Sequence, residues 1–114
     1  MDDVLRRFKA ELFRALAHPT RIAIVEALAG GEQAAGSLID HLGLEQANVS
    51  QHLAVLRAGQ VVSTRRSGNQ IFYALRDPVL ADVLGLLRAY FCTHLTESIA
   101  MLDTMKKADD GAAS

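Results

Sequence analysis

Gln46-Ala-Asn-Val-Ser-Gln-His-Leu-Ala-Val-Leu-Arg57, followed after three residues by Val61-Val-Ser-Thr-Arg-Arg-Ser-Gly-Asn-Gln-Ile-Phe-Tyr-Ala-Leu75, is the stretch on which the fold turns. In the first segment Val49, Leu53 and Leu56 recur at the spacing of one buried helical stripe. Apart from Ala47, the rest of its front half, Gln46, Asn48, Ser50, Gln51 and His52, is polar and carries no acid or Lys/Arg. In the second segment, residues 61–65 and 70–75 read as strands, Ile71, Tyr73 and Leu75 alternating with Phe72 and Ala74. Ser67-Gly68-Asn69 between them is a turn of residues that tolerate positive φ. A short polar helix and a hairpin with a basic tip follow.

The flanking sequence supplies a helical frame. Val4, Leu5, Phe8, Leu12, Phe13, Leu16 and Ala17 predict a helix over 3–17, ending near His18 because Pro19 disfavours helix in the residue before it. Pro19 suits the first turn of a second helix, with Ile22, Ile24, Val25 and Leu28 at helical spacing and Gly30-Gly31 ending it. A third helix is predicted over 34–42, closed by Gly43 as a left-handed residue. Only Leu44 and Glu45 then precede the polar helix, so the two form a helix-turn-helix, with Gly59 closing the second. From Val79 to Lys107 the pattern is helical again. Leu80, Leu84, Leu87, Phe91, Leu95, Ser98 and Leu102 mark a stripe too long for this small core to cover, so a second subunit is expected.

The 114 residues suffice for one domain, expected over 1–107 with a disordered tail over 108–114. The net charge of −1 hides segregation: residues 1–45 hold seven acids against five Lys/Arg, residues 46–76 none against four, residues 77–114 six against three. A polyanion responds to the local field of the basic middle. The single cysteine, Cys92, rules out an intrachain disulfide, and the absence of an uninterrupted apolar run of about 18 residues leads us to expect no membrane span. A cytoplasmic location is expected. One cysteine, four scattered histidines and no phosphate loop or paired-carboxylate motif give no catalytic constellation, so no enzyme is expected.

Three segments, in order, carry a resemblance. Glu11-Leu-Phe-Arg-Ala-Leu-Ala-His-Pro-Thr-Arg-Ile-Ala-Ile-Val-Glu-Ala-Leu28 resembles the opening helices of the ArsR/SmtB winged-helix repressors, Asn48 to Gly59 their recognition helix, and Arg65 to Leu75 their wing. The likeness spans roughly residues 8–78. It implies a mainly α (α+β) winged helix-turn-helix of about five helices and a two-stranded wing. It also implies a homodimer formed through the N- and C-terminal helices, which leaves its operator when an inducer binds.

On that fold, Gln46, Asn48, Ser50, Gln51 and His52 are the expected base readers, since uncharged amides and hydroxyls match base-edge donors and acceptors. Arg57, Arg65 and Arg66 are expected on phosphates, with Gly68 letting the wing tip turn tightly. The expected partners are double-stranded DNA bearing an inverted repeat and a second copy of the chain. The alternatives are a winged-helix protein-interaction module and a constitutive DNA-binding regulator without a metal inducer.

The cofactor stays open. Family members that sense thiophilic metals often carry Cys-x-Cys near the reading head, and residues 1–91 here contain no cysteine. The family's other metal site, across the C-terminal helices, falls here on Asp77, Val79, Tyr90 and Thr93, which is a poor donor set. What remains for a transition metal at the dimer interface, or for redox chemistry, is Cys92, His94 and Glu97. His94 and Glu97 share a helix face, whereas Cys92 and His94 lie roughly 200° apart around it. The competing reading is that His94 and Glu97 are ordinary interface or surface residues and Cys92 a small buried hydrophobe.

Overall fold

Pro19 divides the N-terminal third of the chain into two helices. In the computed structural model, which describes the backbone of residues 1–112 and the side chains of 1–109, α1 spans Asp2–Leu16 and α2 spans Pro19–Leu28. His18 caps α2: its Nδ1 accepts the Thr20 N–H at 3.0 Å. The order continues β1 (Gln33–Ala34), α3 (Ala35–Leu42), α4 (Gln46–Ala58), β2 (Val62–Ser67), β3 (Gln70–Leu75) and α5 (Val79–Ala112).

Ala15, Leu16, Ile24, Val25, Leu28, Leu38, Val49, Leu53, Leu56, Val61 and Val62 form the core. Each helix from α1 to α4 and the start of β2 contributes to it. The predicted stripe of α4, Val49, Leu53 and Leu56, is fully buried in it. Gly43 takes the predicted left-handed conformation, φ 64°, and its N–H donates to the Ile39 carbonyl, which fixes the turn between α3 and α4.

Gly59 closes α4 as expected, but without a left-handed backbone. Its φ is −79°, and Gln60 holds the left-handed position, φ 60°. Gln60 N–H donates to the Arg57 carbonyl and Val61 N–H to that of Leu56, the paired bonds of a Schellman ending. Glycine is needed at 59 for space: a Cβ there would lie 2.9 Å from the Cβ of Ala15. The end of α4 is thus pressed against the end of α1.

The wing gains a strand. β1 pairs antiparallel with β3 (Gln33↔Tyr73, Ala34↔Phe72), and β3 with β2, giving the order β1-β3-β2 instead of two strands. The hairpin loop is two residues, Gly68-Asn69, since Ser67 and Gln70 pair. Gly68 has φ 60°, and Asn69 stays out of the left-handed region, as in a type II′ turn.

The chain divides into two compact units after Ala81, where the sequence predicts one domain over 1–107. The second unit is the body of α5. The helix runs to Ala112. Ala113 and Ser114 lie outside the described residues. Asp77 Oδ1 accepts the Val79 N–H at 3.0 Å where α5 begins. Along α5, Leu86, Leu87, Tyr90, Phe91, Leu95, Ile99, Met101, Leu102 and Met105 are all exposed. By length and composition this helix is apolar enough to cross a membrane.

Candidate nucleic-acid interface

α4 turns one face to the core, and the opposite face is fixed by geometry. At about 100° per residue, Ala47, Gln51, Ala54 and Ala58 stand opposite the Val49–Leu53–Leu56 stripe, with Asn48 and Ser50 flanking them. All six are exposed, as is Gln46 at the first position. Gln51 therefore stands amid small side chains that allow close approach to a surface. Arg57 is exposed at the C-terminal end of the same helix.

His52, expected among the base readers, is half-exposed and stands apart from this outward set. It lies three residues after Val49 and four before Leu56, on the buried side. Its ring centroid is 4.2 Å from that of His18, and Arg21 Nη1 lies 3.4 Å from its Nδ1. Burial first, then the His18 and Arg21 charges, hold its pKa below the ordinary histidine value. Arg21 also donates from Nε to the Ala15 carbonyl (2.6 Å) and from Nη2 to that of Arg14 (3.4 Å). These carbonyls belong to the last turn of α1, and that of Arg14 also accepts the Ala17 N–H. Arg21 thus ties α1 and α2 to the reading helix. Its only sequence signal was a cation two residues after a proline, which does not reveal a partner 31 residues away.

Arg65, expected on phosphates, lies exposed on the wing and is held in an ion pair. Its Nε and Nη2 donate to the two carboxylate oxygens of Glu32, each at 2.7 Å, and its guanidinium lies 4.5 Å from the Phe72 ring centroid. The Arg65 hydrogen bond is the main cause holding the Glu32 carboxyl below its usual range. The window 46–76 is acid-free, yet the fold lays an acid on it. Arg66, the next residue in the strand, is exposed, and no acid pairs with it among the described residues. Arg76 donates to Gln60 Oε1 at 2.7 Å.

Cys92 is exposed and free, which excludes the buried-hydrophobe reading within one chain. His94 and Glu97 are exposed on α5. Among the described residues no three His, Cys, Asp or Glu side chains come together as a metal site. The positions that the resemblance assigns to a metal do not fit one: Asp77 is spent on the start of α5, and Thr93 Oγ1 donates to its own helix at Ala89 (3.1 Å).

A helix-turn-helix whose second helix shows a polar, acid-free face, beside a short hairpin whose Arg66 has no acid partner among the described residues, defines the winged-helix class of transcription regulators. The chain belongs to the arsR family of bacterial regulatory proteins, whose family model matches residues 18–64. The uncharacterized HTH-type transcriptional regulator Rv0081 of Mycobacterium tuberculosis is 39% identical over 103 residues, 90% of each chain. Its crystal structure matches with a TM-score of 0.75 and 40% identity, over 83% of this chain and 96% of that one. The biofilm growth-associated repressor of Xylella fastidiosa is 40% identical over 85 residues, 75% of each chain. The solution structure of the homodimeric winged helix-turn-helix DNA-binding domain of Mb0332 from Mycobacterium bovis matches with a TM-score of 0.75 at 27% identity, over 84% and 89% of the two chains.

Proposed function

We propose that the protein is a homodimeric, cytoplasmic repressor that reads an inverted-repeat operator. Gln46, Asn48, Ser50 and Gln51 contact base edges in the major groove, and Arg57 and Arg66 contact phosphates, with Gly68 keeping the wing tip narrow. The carrying observation is the exposed face of α4, polar or small at every position but Val55 and without a charge before Arg57. Glutamine and asparagine suit adenine in bidentate fashion, and the alanines around Gln51 suit thymine methyls.

The exposed apolar side chains of α1 (Val4, Leu5, Phe8, Phe13) and of α5 are what a second copy would cover. A two-fold axis then sets two reading helices about 34–36 Å apart, one turn of B-DNA. A protein-interaction role is the weaker reading, because such a surface has no need to exclude acids from α4. Release would act through α5. Cys92 is open to modification there, and an ion held by His94 and Glu97 would require the same pair from the second copy.

The test is titration of DNA from upstream of the protein's own coding sequence, against random DNA of equal length, at near-physiological salt. Tighter binding to the upstream DNA, with protection of two half-sites one helical turn apart, is expected. Equal affinity for both DNAs would defeat the proposal.

A further inference from the structure

Glu32 and Arg65 are 33 residues apart in sequence, and the sheet brings them together. Ala34, Phe72 and Arg65 are directly opposed across β1, β3 and β2, so their side chains share one face. Glu32 precedes Ala34 by two residues, the same side of an extended chain. The Arg65 side chain consequently lies back across the central strand, over Phe72, and closes on both oxygens of Glu32. Carboxylate and phosphate offer a guanidinium the same two-pronged match. While the pair is closed its net charge is zero, and the wing presents Arg66 alone. Arg65 keeps 55% and Glu32 34% of its side-chain surface exposed, so water screens the pair and a polyanion can open it.

We propose that Glu32 sets the wing's affinity for DNA by withholding Arg65: the carboxylate holds the guanidinium in the free protein and is exchanged for a phosphate on the duplex. This rests on the DNA-binding reading above. In the exchange one ion pair opens and another forms. The phosphate loses a condensed cation while the freed carboxylate gathers one, so Arg65 adds nothing to the salt dependence of the wild type. Glu32→Gln removes the competitor and leaves an amide of the same shape. Each Arg65–phosphate contact then releases a cation without any uptake.

The experiment titrates upstream DNA with wild type, E32Q and E32Q/R65Q between 50 and 200 mM salt. E32Q is expected to bind more tightly at 50 mM, with a log–log salt slope steeper by about 0.9 per protomer. For a dimer, its advantage over wild type then shrinks roughly twelvefold across that range. E32Q/R65Q is expected to return to the wild-type slope. An E32Q slope equal to wild type, with wild type still binding, would leave the pair a structural strap and overturn the Glu32 role alone. A steeper slope that survives in E32Q/R65Q would overturn it too, because loss of one negative charge would then suffice. Absence of binding by both wild type and E32Q would refute the DNA-binding reading itself.

Discussion

Gly59→Ala tests how the reading helix is seated. The new methyl would meet the Ala15 Cβ at 2.9 Å, a separation that real Cβ atoms essentially never show. Ala15 is 6% exposed near the end of α1 and has no flexible end to swing aside, so the helices must part. Overpacking of this kind costs about 1–3 kcal/mol. The backbone at 59 has an ordinary φ of −79°, so alanine also gains about 0.4–1 kcal/mol by stiffening the unfolded chain. The net loss is roughly 1–2 kcal/mol, or a thermal midpoint lower by roughly 5–15 °C for a domain of this size. Ala15→Gly costs about 1 kcal/mol alone as a helix substitution, but in the double variant it clears the space for the new methyl. The assay is thermal unfolding of all four proteins at one protein concentration, since dimerisation makes the midpoint concentration-dependent. The expected signature is a favourable coupling of about 1 kcal/mol or more between the two substitutions. A Gly59→Ala protein as stable as wild type, or strictly additive effects, would refute close contact between α1 and the end of α4.

Three further outcomes follow from the geometry. The folded state resists protonation of His52, so its stability contribution is complete above the unfolded histidine pKa of about 6.5, declines as the pH falls below that, and levels off below the lowered folded value; melting wild type and His52→Gln from pH 8 to 5 should show a gap between them that changes across that window, and parallel curves would contradict it. Phe91→Asp, on the exposed face of α5, should shift the protein toward monomer in sedimentation and weaken operator binding; an unchanged dimer would place the interface elsewhere. Leu53→Ala, at 2% exposure, should cost about 2–5 kcal/mol in denaturant unfolding, and a loss under about 1 kcal/mol would contradict its central place in the core.

Most of the frame was legible because it is written in local signals. Pro19 and Gly43 act through their own backbone, and the α4 stripe through its period. β1 was not legible: two residues show no alternation, and they become a strand only by pairing with β3 some 38 positions on. Gly59 does end α4, but what requires glycine there is Ala15, distant in sequence. Within the site, the inward turn of His52 was implicit in its spacing from Val49 and Leu56, but its polarity argued the other way. The capture of Arg65 was invisible, since charge read along a window cannot reveal an acid folded onto it from outside.

The central claim is a division of labour between α4, which reads, and the wing, which holds. It is tested most directly by measuring, for Gln51→Ala and Arg66→Ala, the ratio of operator to random-DNA affinity together with the salt slope. Gln51→Ala should cut the ratio by about 1–3 kcal/mol and leave the slope unchanged. Arg66→Ala should weaken both affinities alike, preserve the ratio, and flatten the slope by about 0.9 per protomer. The reverse pattern, with the ratio lost in Arg66→Ala and intact in Gln51→Ala, would contradict the account.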